Sequence, residues 1–110
     1  MAYKRSKRLK QVRWPVSVFE ARDGGKTEEF EIFLIFEQLG QKEMSARCAR
    51  QTKAQFIQGV TSDWEGMLDE CDSPIPFDKA LFADCLDDAN FVQASFDAYQ
   101  NMVLGIAAKN

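Results

Sequence analysis

A chain of 110 residues and 12.5 kDa has the size of one ordinary domain. Its net charge of −3 hides a division, with six cations and no acid in residues 1–13 but ten acids against Lys79 and Lys109 in residues 63–110. The absence of histidine excludes His-based triads, Cys–His dyads and histidine metal sites, and no run of about 20 apolar residues exists to make a membrane helix.

Residues 1–10 are polar, basic and aperiodic, and are expected to form a flexible arm. A solubilising tail, a protein-docking arm and a nucleic-acid contact all remain open for it. The arm leads into Trp14-Pro15 and not into an apolar run, so no export signal is expected there.

From Gln11 to Glu20 the chain is rich in β-branched and aromatic residues and reads as a strand. Pro15 has no ladder donor, which puts this strand at a sheet edge or starts it after the proline. Asp23-Gly24-Gly25 is a turn, and Thr27 to Glu37 returns as a second strand, giving a hairpin over 11–37. Phe30, Ile32, Leu34 and Phe36 share one face by period-two geometry. The other face has Phe33 and Ile35 between Glu29, Glu31 and Glu37. A strand with one wet face should alternate more cleanly. Either helices cover both faces, or Phe33 and Ile35 await another chain.

A helical part is expected over 40–107. Met44, Cys48, Thr52 and Phe56 recur every four residues, predicting one helix from Gln41 that ends or loosens near Gly59. The stretch Thr61 to Pro76 follows, its second half a loop because Pro74 and Pro76 preclude a helix interior. Asp78 is an N-cap for a helix to about Asp87, with Leu81, Phe82, Cys85 and Leu86 inward. A last helix from about Ala89 carries the stripe Val92, Ser95, Phe96, Tyr99, Met102, Val103 and Ile106. A hairpin packed with about three to four helices is an α+β arrangement, here a single domain over 11–110.

Chemistry is sparse. Cys48, Cys71 and Cys85 have neither the number nor the spacing for a disulfide framework or a zinc site, which fits a reducing cytosol. Cys85 lies on an apolar stripe, and Cys71 sits between Glu70 and Asp72, so neither is a catalytic candidate. The acids around Asp69 lack EF-hand spacing, and Asp84, Asp87 and Asp88 fit a solvated helix end. No phosphate-cradling glycine motif is present. These residues predict no catalytic site, no cofactor and no metal.

The order of several segments nevertheless has a counterpart. Asp63-Trp64-Glu65-Gly66, then Pro74-Ile75-Pro76-Phe77, Leu81, Phe96-Asp97-Ala98-Tyr99, Gly105 and Ala108-Lys109-Asn110 together resemble the tail assembly chaperones of tailed bacteriophages. The likeness covers about 90 residues loosely, with the basic start and the aromatic hairpin in the expected places. It implies a non-catalytic protein in the host cytoplasm, absent from the mature virion. Such a protein holds the tape measure protein soluble while tail tube subunits assemble, and the tail tube protein is a further partner to consider. The resemblance also implies a longer form made by a backward ribosomal frameshift, and Ala108-Lys109-Asn110 can be encoded with the slippery heptamer A AAA AAC.

Candidate partner contacts are Phe33, Ile35, Trp64, Phe96, Tyr99 and Met102. Each has a packing account too: Trp64 under the proline loop with its indole N–H on a carbonyl, and the Tyr99–Met102 stripe as core. Self-association through the hairpin edge is a further expectation. Two other functions compete: a head–tail connector or tail completion protein, and a nucleic-acid-binding regulator acting through the arm with Tyr3 and Trp14. The acidic body would repel phosphate, which disfavours the last.

Overall fold

The structure is a computed structural model that describes residues 2–3 and 9–108. Most of the expected basic arm, and Lys109 and Asn110, therefore lie outside the described residues. The hairpin forms as expected. β1 (Gln11–Arg22) pairs antiparallel with β2 (Lys26–Glu37) without a break from Gln11↔Glu37 to Arg22↔Lys26. The reversal at Asp23–Gly25 sets both Gly24 and Gly25 at φ 79°, a region that side chains resist.

A third strand, β3 (Thr61–Glu65), joins the other side of β2, giving the order β1-β2-β3. No strand is expected in this segment from its residue pattern. β1 is thus an edge, which accommodates Pro15 opposite Phe33. A bulge lies in β3: Ile35 faces Asp63 but Phe36 faces Thr61, leaving Ser62 as the extra residue. Strict alternation would put Thr61 and Trp64 on opposite faces; the bulge turns both inward, and both are buried.

The single helix expected from Gln41 is two. α1 (Gln41–Arg50) and α2 (Lys53–Val60) are separated at Gln51-Thr52. Thr52 is not a stripe residue but the N-cap of α2: its hydroxyl accepts from Gln55 N, and the Gln55 side chain accepts from Thr52 N. Cys48 is exposed, and α1 buries no residue at all. Gly59 lies inside α2, which runs directly into β3 at Thr61, whose hydroxyl donates to Ile57 O at 2.7 Å.

α3 (Lys79–Cys85) starts as read, with the Asp78 carboxylate accepting from Leu81 N at 3.1 Å. α4 (Ala89–Val103) buries Phe91, Ser95, Tyr99 and Met102. Ile106 is a correction: the helix has ended at Val103, and Ile106 is exposed.

All the helices lie on one side of the sheet. Val16, Ile32, Leu34, Phe36 and Trp64 meet Phe56, Ile57, Phe82 and Tyr99 in one buried cluster. Edge-to-face ring pairs organise it at two ends. Tyr99 stands edge-on to Phe36 at 5.2 Å and to Phe56 at 5.1 Å, while Trp64 meets Phe77 at 5.1 Å and Phe82 at 6.0 Å. The Tyr99 hydroxyl donates to Glu37 O at 2.8 Å and accepts from Leu39 N at 3.2 Å, tying α4 to the end of β2.

Candidate functional site

The six residues expected at a partner surface do not form one patch. Trp64, Tyr99 and Met102 are 5%, 0% and 5% exposed and belong to the core. Trp64 follows its packing account, its indole N–H donating to Ile75 O at 2.8 Å beneath the proline loop. These three are closed to a partner in the folded chain, because their apolar area is already spent on the sheet–helix contact. Phe96 is half-buried at the rim, with the Phe56 ring 5.9 Å away and the Lys53 ammonium 5.1 Å from its centroid.

Phe33 and Ile35 differ from all of these. They are half-buried, yet neither belongs to the buried cluster nor packs against it. The reason is the pleat: Leu34 and Phe36 point to the helices, so Phe33 and Ile35 point to the opposite, outer face. Of the two readings left open by the sequence, helices on both faces is not the arrangement found.

Register defines the outer face around this pair. Phe33 lies between Pro15 of β1 and Glu65 of β3, and Ile35 lies between Arg13 and Asp63. The Arg13 guanidinium sits 3.6 Å from the Phe33 centroid and forms an ion pair with Glu65. An apolar centre is thereby framed by charges of both signs, with Glu31 and Glu37 further along β2. Among the described residues this face holds no nucleophile and no converging polar groups.

Arg13 and Glu65 were missed as functional candidates. Alternation does place Arg13 opposite in face to Val12 and Trp14, but nothing in the sequence brings Glu65 beside it. Trp14, considered for base stacking, packs against the core from the inner face and is opposite Leu34.

The remaining chemistry-bearing groups have structural settings. Asp69 Oδ1 accepts from Cys71 N at 2.8 Å and Ser73 N at 3.0 Å, so that carboxylate builds its own loop. Burial pushes the Cys85 thiol above its ordinary 9.0, helped by the charges of Asp88 and Asp84. Burial also pushes the Tyr99 phenol above 10.0, against the bond from Leu39 and with the Glu37 charge. Among the described residues no three His, Cys, Asp or Glu side chains converge to hold a metal ion. Among them, too, no helix is long and apolar enough to cross a membrane. No protein family model, curated protein or solved structure matches the chain.

Proposed function

We propose that this chain is a non-catalytic binding protein of the tailed-phage tail assembly chaperone kind, one that keeps the tape measure protein soluble in the host cytoplasm. The observation that carries the reading is the Phe33–Ile35 pair, apolar and set outside the core on a sheet face that no described helix covers. The order of segments from Trp64-Glu65-Gly66 to the Phe96–Tyr99 turn gives the reading its specific client.

The physical case is one of balance. A holding protein must offer apolar area to an aggregation-prone chain without aggregating itself. Here the area is small and is framed by Arg13, Glu65 and Asp63, which keeps the free face wetted. At about 25 cal/mol per Å², a two-residue patch supports only a weak, reversible contact, which suits a protein that must later let go.

Co-expression with the tape measure protein of the same gene cluster tests this. The client is expected to stay soluble and co-purify with the intact chain, and to pellet with the double variant Phe33→Ser/Ile35→Ser. That variant alters only the outer face, and its circular dichroism should match the parent's. A client that is soluble alone and never co-purifies refutes the reading. Finding the chain in mature particles would instead favour a connector or completion protein.

A further inference from the structure

The hairpin is longer than the helical layer beneath it. Every residue from Phe19 to Glu31 is exposed, so the strands run out beyond the helices as a finger. On the inner side of that finger, where the core face emerges, lies a cleft of about 570 Å³. Its floor is the end of the buried cluster: Val18, Ile32 and Phe91. One wall is the finger itself, through Phe30, and the other is the loop after β3, through Met67 and Leu68. Gly66 turns the chain into that loop at φ 88°. Phe30 and Leu68 are 40% and 48% exposed, which leaves two large apolar side chains facing each other across open space.

The rim has one sign. Glu20, Asp69, Asp72 and Asp88 line the cleft, Glu31 borders it with its side chain on the outer face, and among the described residues no lysine or arginine lines it. Asp72 and Asp88 make no ion pair with any described residue. The nearest cation on the same face of the finger is Arg22. It sits 3.4 Å from Glu20 and 5.7 Å from the Phe30 centroid, a contact of the kind an incoming cation would make. Apolar floor and walls within a carboxylate rim select a ligand with the inverse pattern, apolar in the middle and cationic around it. A small anion is repelled, and a neutral apolar group leaves the carboxylates without counter-charge.

We propose that this cleft docks a peptide segment of the partner protein in which two or three apolar side chains are flanked by lysine or arginine. The proposal rests on the protein-binding reading above, for which it supplies a second contact on the inner side of the sheet, separate from Phe33 and Ile35.

The probe is a fluorescent amphipathic peptide of leucine and lysine, titrated against the full chain by anisotropy. Saturable binding is expected, weakening steeply with salt because the contact is partly ionic. The variant Phe30→Ser/Leu68→Ser should weaken it about tenfold, the equivalent of roughly 1.4 kcal/mol. Asp72→Asn/Asp88→Asn should weaken it by several fold, while Glu29→Gln/Glu37→Gln, an equal charge change on the outer face, should leave it within about twofold. A peptide with serine for leucine should not bind, and spermidine should not displace the bound peptide. No binding, displacement by spermidine, or equal loss in the outer-face control overturns the proposal. The two readings fail separately. Tape measure protein that co-purifies while the peptide ignores the cleft removes only this site; cleft-dependent peptide binding without a tape measure complex removes only the client.

Discussion

Leu34 and Phe33 are neighbours in β2 and end in different solvents. Leu34 is fully buried between the sheet and the helices, whereas the larger aromatic beside it stays half-open on the outer face under an arginine. Both belong to one apolar run, and composition gives each an equal claim to the interior. What separates them is that α1 to α4 all fall on one side of the sheet. Hydrophobicity made the strand; the helical layer decided which of its two faces would be closed.

The largest test of this contrast is truncation on either side of one peptide bond. Leu34→Ala should cost about 3 kcal/mol in chemical denaturation, since it opens a cavity in a packed cluster. Phe33→Ala should cost about 1 kcal/mol, the sum of a partial burial and the arginine contact. Equal costs would mean that the outer face is as closed as the inner one.

A smaller effect is expected at Tyr99, which fastens the inner face. Tyr99→Phe removes the bonds to Glu37 O and from Leu39 N and should cost about 1–2 kcal/mol. Because burial raises the phenol above 10.0, the folded state resists ionisation that the unfolded state accepts. Stability is therefore whole below pH 10.0 and declines as pH climbs through the raised folded value. Cys85 adds a loss of the same sign that begins at 9.0. Denaturation followed from neutral to strongly alkaline pH should show the decline, and Tyr99→Phe should flatten its upper part.

The smallest effect belongs to the outer face. Arg13 and Glu65 are each about half exposed, so a double-mutant cycle with alanine should give a coupling of about 0.5 kcal/mol. It should fade in high salt. A large, salt-resistant coupling would mark that face as a second core.

The hairpin, the Asp78 cap and most of α4 were legible because local signals and burial agree there: glycines at the turn, an acid at the cap, a stripe at helical spacing. The α1–α2 break was legible in principle, since Thr52 and Gln55 have capping-box spacing. A four-residue repeat through Met44, Cys48 and Phe56 pointed the other way, and the cap prevailed. β3 was not legible. Thr61-Ser62-Asp63-Trp64-Glu65 has only two inward residues, and they share a face solely because of a bulge that the partner strand imposes. At the candidate surface, Phe33 and Ile35 could be read from β2 alone, but their frame of Arg13, Asp63 and Glu65 required knowledge of register. Trp64, Tyr99 and Met102 looked equally adhesive in one dimension, and only the fold shows them occupied.

α1 has a bearing on how the molecule comes apart. It is held by its own ladder, the Glu43–Arg47 pair at 2.9 Å and a Gln41–Ser45 bond at 3.0 Å, with half-buried Met44 packed against the core and no side chain fully buried. Buried Leu39 pins the chain before it, and the Thr52 cap restarts the chain after it. Those two fixed points make the intervening segment a hinged flap. Its opening would uncover Met44 but no fully buried side chain, so hydrogen exchange is expected to be faster in α1 than in the buried strands and α4.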